Sequence, residues 1–193
     1  MQTITKVYDT YEKAHQAVDA LESARIPMTS ISVIANREES KKHVEVSEMS
    51  EAGPGAGLGA AVGGAAGLLT GLGIMAIPGL GPVVAAGWLA STALGVAAGG
   101  ATGGIVGSLI SAGVPEDHAH IYSEAVRRGG TMLSVKAEDH NVTTIHSILD
   151  EHEPLDPLEQ VASYRSSGWS GFDPDAGPYE STRTAAERER KTI

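Results

Sequence analysis

No cysteine occurs in the 193 residues, which excludes disulfides, thiolate metal sites and cysteine nucleophiles and fits a reducing compartment. Aromatic residues make up only 4% of the chain, with a single Phe, so a large aqueous core has little aromatic bulk to draw on. Positive charge is also short. Fourteen Lys and Arg stand against 24 Asp and Glu, a formal net charge of −10, and no long basic cluster offsets it, which argues against a sequence-independent grip on nucleic acid. The first residues lack the apolar run of a secretory signal. The remaining absence is local: from Ala52 to Pro115 there is no charged residue at all.

That uncharged block is rich in Gly and Ala. Glycines fall at Gly55, Gly59, Gly63, Gly67 and Gly71, and after a turn-like Ile-Pro-Gly-Leu-Gly-Pro at Ile77 to Pro82 the small residues resume at Gly87, Ser91, Gly95, Gly99, Gly103, Gly107 and Ser111. Residues four apart follow one ridge of an α-helix, and a ridge without side chains lets two backbones approach closely. Each Gly costs about 1 kcal/mol relative to Ala in a water-exposed helix, so such helices need compensation from a bilayer or from another small-residue ridge. Gly57 to Ile77 as a helix would span about 30 Å, close to the hydrocarbon thickness, and Val83 to Ser111 more. The block is therefore expected to be a glycine-zipper helical hairpin over residues 52–114 that crosses a membrane, with both flanks on the cytoplasmic side. A second reading buries the hairpin in a soluble homo-oligomer. A flexible linker fits less well, because Leu68, Leu69, Ile74, Val83, Trp88 and Leu109 are interspersed through the block.

The flanks read as alternating elements. Gln2 to Tyr8 is strand-like, Asp9 or Thr10 can cap a helix over Tyr11 to Ala24 with Tyr11, Ala14, Val18 and Leu21 on one face, and Ser30 to Ala35 is a buried strand. His43 to Val46 is strand-compatible and predicts a hairpin with Ser30 to Ala35. Pro115 to Arg128 opens with acids and ends at Gly129 and Gly130, as a helix does. Thr131 to Ala137 is another strand, and Asn141 to Glu151 another helix. The order β-α-β-β-α-β plus a helix predicts an α+β fold, a small ferredoxin-like sandwich built from residues 1–51 and 115–153 with the hairpin inserted. Residues 154–193 read as a flexible tail. Within it Trp169, Phe172 and Tyr179 are candidate docking residues for a protein partner.

The search for chemistry yields no reaction and no cofactor. His118 and His120 are two apart on one helix and point away from each other, Asp173 and Asp175 lack the glycine and glutamate of a calcium loop, and no metal site is predicted. Neither a phosphate-binding loop nor a nucleophile elbow is present. The expectation is a non-enzymatic protein.

Thr5-Lys6-Val7-Tyr8-Asp9 leading into Ala14 to Ala24, Ile31-Ser32-Val33-Ile34-Ala35, the glycine-zipper block and Pro115-Glu116-Asp117 to Gly130 together resemble bacterial general stress proteins of the heat-induced stress protein family. The resemblance covers roughly residues 3–150. It implies a stress-related, membrane-associated protein and supplies no active-site residues. Expected partners are further copies of the chain, membrane lipid and a protein bound by the tail; nucleic acid is not expected. A pore formed by the zipper helices is a minor alternative, since Thr70, Ser91, Thr92, Thr102 and Ser108 are the only polar candidates to line it.

Overall fold

The computed structural model describes residues 1–36, 73–77, 80–89, 104–176 and 179. Strand β1 (Gln2–Tyr8) leads to helix α1 (Tyr11–Ser23), a short 3-10 turn (Met28–Ser30) and strand β2 (Ile31–Asn36). Strands β3 (Gly73–Ile77) and β4 (Gly81–Gly87) come next, then helices α2 (Gly104–Ser111) and α3 (Glu116–Arg127). Strand β5 (Thr131–Ala137), helix α4 (Val142–Glu151) and helix α5 (Pro157–Ser166) complete the described elements.

The flanking elements form for the reasons their sequences suggest. Thr10 caps α1 by accepting from the Lys13 amide at 3.3 Å, and α1 buries Tyr11, Ala14, Ala17, Val18 and Leu21. Its end is a Schellman turn, with Ile26 N–H on the Leu21 carbonyl and Arg25 N–H on the Glu22 carbonyl. Arg25 takes the left-handed position there (φ 61°), where α2, α3 and α5 use Gly113, Gly129 and Gly168.

The five strands form one antiparallel sheet in the order β1-β5-β2-β4-β3. Two crossovers interlace in it. β1-α1-β2 steps over β5, and the path from β4 through α2 and α3 to β5 steps over β2. Alternate residues of the central strands point to opposite faces, and both faces are covered. One face carries Ile4, Tyr8, Ile31, Val33, Leu133 and Val135 against α1 and α4. The other carries Val7, Ile34, Val83, Ala85 and Met132 against α2, α3 and Tyr164 of α5. Tyr8 ties the first layer together by donating to the Leu149 carbonyl of α4 at 3.0 Å, and burial, aided by the Asp150 carboxylate, pushes its phenol well above the ordinary range.

The α+β class is as expected, but the layering is not that of a ferredoxin-like sandwich. Such a sandwich carries its helices on one face with the first and third strands central, whereas here β5 and β2 are central and helices cover both faces. Crossovers of one hand in this strand order would both cover the same face; α1 and α3 lie on opposite faces, so the two crossovers are of opposite hand.

The larger correction concerns the Gly/Ala block. Of the two helices expected over Gly57 to Ile77 and Val83 to Ser111, the described parts Gly73–Ile77 and Gly81–Gly87 are strands, and Gly104–Ser111 is helical. The turn after Ile77 was expected to join two helices; it joins β3 to β4. The place beside β2 expected for His43 to Val46, which lie outside the described residues, is taken by β4, with Val84 opposite Ala35 and Ala86 opposite Val33. Val83 and Val84 are β-branched and fully buried on opposite faces of the sheet. Among the described residues no helix is long and apolar enough to cross a membrane.

Gly87 shows why the block needs glycine where it does. It sits opposite Ser32 with φ +92°, and a Cβ there would lie 2.3 Å from the Ile31 carbonyl oxygen. The residue is small so that two strands can close on each other at the end of the β2–β4 ladder, not so that two helices can. Gly87→Ala is expected to destabilise the domain by at least about 2 kcal/mol and to lower the Tm by roughly 5–10 °C, measured by thermal unfolding followed by circular dichroism.

Candidate functional site

The most elaborate polar construction in the described residues lies at the C-terminal end of α3. Helix spacing puts Glu124, Arg127 and Arg128 on one side, because residues three and four apart are neighbours. Glu124 is 1% exposed. Its carboxylate accepts from Arg127 Nε at 2.8 Å, Arg127 Nη2 at 2.7 Å and Arg128 Nε at 2.6 Å. A carboxylate this deep is tolerable because charged donors satisfy both its oxygens. The same bonds hold the Arg127 guanidinium above its ordinary pKa, against the opposing effect of burial.

The segment after α5 folds over this cluster. Arg128 Nη2 donates to Ser167 Oγ at 2.8 Å, and the guanidinium lies 4.3 Å from the Tyr164 ring centroid and 4.7 Å from that of Tyr179. Arg127 lies 5.2 Å from the Tyr179 centroid. Tyr164 and Trp169 meet edge to face at 5.8 Å, and Trp169 and Phe172 pack against the apolar layer between sheet and α3. The Phe172 amide donates to His120 Nδ1 at 3.2 Å. Between helix and tail lies a recess of about 360 Å³ bounded by Arg127, Arg128, Trp169, Asp173 and Tyr179.

Trp169, Phe172 and Tyr179, expected as docking residues for another protein, are thus brought together on the chain's own α3. Glu124, Arg127 and Arg128, the anchor they use, were not anticipated as a unit; the Glu-x-x-Arg-Arg spacing was the available signal, hidden because arginines near a helix end are common for the dipole alone.

The zipper residues are not brought together within the described chain. Gly55, Gly59, Gly63, Gly67, Gly71, Ser91, Gly95, Gly99 and Gly103 lie outside the described residues. Gly87 is in β4, while Gly107 and Ser111 are in α2. The histidines diverge: His120 meets the tail and Glu116, His118 sits 5.9 Å from the Tyr122 ring, and His15 and His140 each face a nearby carboxylate. Among the described residues no three His, Asp or Glu side chains are grouped as metal ligands would be.

Chemically this arrangement is a clamp. Glu124 and Ser167 accept from the two guanidiniums and aromatic rings cover their cationic faces, while the buried Trp169 Nε1 has no partner among the described residues; no group of the clamp is posed as a nucleophile with a base beside it. Searches of family models, curated proteins and solved structures found no match to the chain.

Two tests follow from the clamp. Glu124→Gln leaves two half-buried guanidiniums without their counter-ion and is expected to cost about 3 kcal/mol in chemical denaturation and to open the Arg127–Arg128 bond to trypsin. The second concerns alkali. Burial pushes the Tyr164 phenol up to about 12, with Arg128 pulling it back, and burial alone pushes Tyr11 up to about 12. The folded values exceed the unfolded value of about 10, so the fold favours the neutral phenols. Their contribution is complete below about pH 10 and is lost as pH rises through about 12. Ultraviolet difference absorbance is expected to show these two phenols ionising near pH 12 together with unfolding, and Tyr164→Phe to remove its share of the alkaline sensitivity.

Proposed function

We propose that the chain is a non-enzymatic assembly protein of the bacterial stress response, in which a small α+β domain carries uncharged Gly/Ala segments that pack against those of further copies. One observation carries this reading. The centre of the uncharged block, Gly81–Gly87, is paired with β2 and built into the sheet. A turn that belongs to the domain's own sheet does not lie across a bilayer from that domain, so the middle of the block is better accounted for as protein than as the crest of a membrane hairpin. The remaining Gly-every-fourth sequence, Gly55 to Gly71 and Gly95 to Gly103, keeps the spacing that suits close backbone contact. The stress-related role rests on the resemblance in the order of segments, and the non-enzymatic reading on a sequence with neither a phosphate-binding loop nor a nucleophile elbow.

Membrane attachment is the second reading. It is favoured by the absence of charge from Ala52 to Leu72, long enough to cross a bilayer once. Under it the domain sits on the cytoplasmic face of the membrane; under the first it is cytoplasmic throughout.

Fractionation separates the two. The assembly reading expects the expressed protein to leave the membrane pellet in a high-pH, high-salt wash and to form large lipid-free particles by light scattering. Replacing both Gly63 and Gly67 by Leu is expected to reduce the particle mass while the far-ultraviolet spectrum of the domain persists. Protein released only by detergent would reject the lipid-free assembly.

A further inference from the structure

Among the described residues no strand lies beside the outer edge of β1. Val7 turns its carbonyl away from β5, where it accepts from the Leu155 amide at 2.7 Å. In an antiparallel strand the backbone groups alternate in direction, so Thr3 and Thr5 also turn their N–H and C=O outward, while Gln2, Ile4, Lys6 and Tyr8 serve the ladder with β5. Among the described residues, nothing pairs with the outward backbone of Thr3 or Thr5. Alongside them runs a recess of about 190 Å³, bounded by Val114, His118 and Tyr122 on the α3 side and His146 on the α4 side. No proline or bulge interrupts this edge, and its one deterrent to pairing, Lys6, is engaged with Asp150 at 2.7 Å.

We infer that this edge pairs with the same edge of a second copy, antiparallel about a two-fold axis at Ile4, which joins two five-stranded sheets into one of ten strands. The register follows from which groups are unpaired. A two-fold at Ile4 sets Thr3 opposite Thr5 of the partner and Thr5 opposite Thr3, so the outward donors and acceptors of these two residues match one another. A two-fold at Thr5 would instead need the Val7 carbonyl, where Leu155 already sits. Charge agrees with the first register. Lys6 then faces Gln2 of the partner and not another Lys6. The recess leaves room for the partner's threonines beside Tyr122. The inference rests on the assembly reading for its partner, a second copy, and uses none of the Gly/Ala segments.

Amide hydrogen exchange on the full chain tests it, because the Thr3 and Thr5 amides have no acceptor of their own. Their exchange is expected to slow by at least about tenfold as the protein is concentrated from the low micromolar range upward. Thr3→Pro removes only an outward donor and leaves the β5 ladder intact, so it is expected to reduce the particle to a dimer with an unchanged circular dichroism spectrum. The variant with Leu at positions 63 and 67 is expected to keep the concentration-dependent protection of Thr3 and Thr5 even where the larger particle is lost, which separates this interface from the zipper. Free-peptide exchange rates at all concentrations would overturn the pairing. So would protection independent of concentration, which would mean that the chain covers its own edge, or an unchanged mass in a folded Thr3→Pro variant. Should that variant fail to fold, the exchange measurement on the unaltered chain decides alone.

Discussion

Central strands that are apolar on both faces oblige the chain to cover two sides of one sheet, and most of the architecture answers that requirement. β2 is buried at every position from Ile31 to Ala35, and β5 from Thr131 to Val135. Two small helices on one face, as in a sandwich, would leave Ile34 and Met132 in water, at a cost of about 2 kcal/mol for each large side chain. The chain instead spends α1 and α4 on one face and α2, α3 and α5 on the other. The opposed hands of the two crossovers and the tail folded onto α3 serve the same end.

Most buried polar groups on the strands fit this account, the Thr131 hydroxyl, buried without a partner among the described residues, being an exception. Thr5 and Ser134, cross-strand partners, share a hydrogen bond at 3.0 Å inside the second layer, and Ser32 donates to the Ala86 carbonyl at 2.8 Å where β4 closes on β2. Each satisfies a group that water cannot reach. Trp88, just beyond β4, donates its indole N–H to the Ser30 carbonyl at 3.0 Å and lies 4.1 Å from the Lys136 ammonium, pinning the end of the hairpin to the sheet.

What could be read from sequence divides along physical lines. The strands and helices flanking the Gly/Ala block as far as α4 were legible because periodicity, caps and stops agreed there: Thr10 before α1, Gly129 and Gly130 after α3, alternation in β1; α5, at Pro157–Ser166 in residues that read as a flexible tail, was not. Inside the block two signals disagreed. Spacing by four spoke for helix, while Ile74 to Ile77 and Val83 to Ala86, short apolar runs joined through Pro-Gly, spoke for a hairpin of buried strands. Pairing with β2 decided the second, since a strand already apolar on both faces needs a neighbour more than the block needs a ridge. Gly87 belongs to the series of small residues by count and to the sheet by conformation. The clamp was illegible for another reason. Glu124, Arg127 and Arg128 look like ordinary helix-surface charge until a tail forty residues onward supplies rings to cover them.

The strand order also fixes where further copies could attach. The uncharged segments join the described fold at the β2, β3, β4 end of the sheet and at the start of α2, whereas the open backbone of Thr3 and Thr5 lies at the opposite edge, on β1. On the proposed assembly, a contact through the glycine segments and one through the β1 edge would each pair copies about a two-fold axis, and alternating two-folds extend a row without closing it unless the axes meet. A protein built this way grows as a filament if both contacts hold and stops at a dimer if either is lost. On that proposal the glycine segments and the sheet edge would play separate parts: neither alone would make a large particle, and the length of what forms would depend on the weaker of the two.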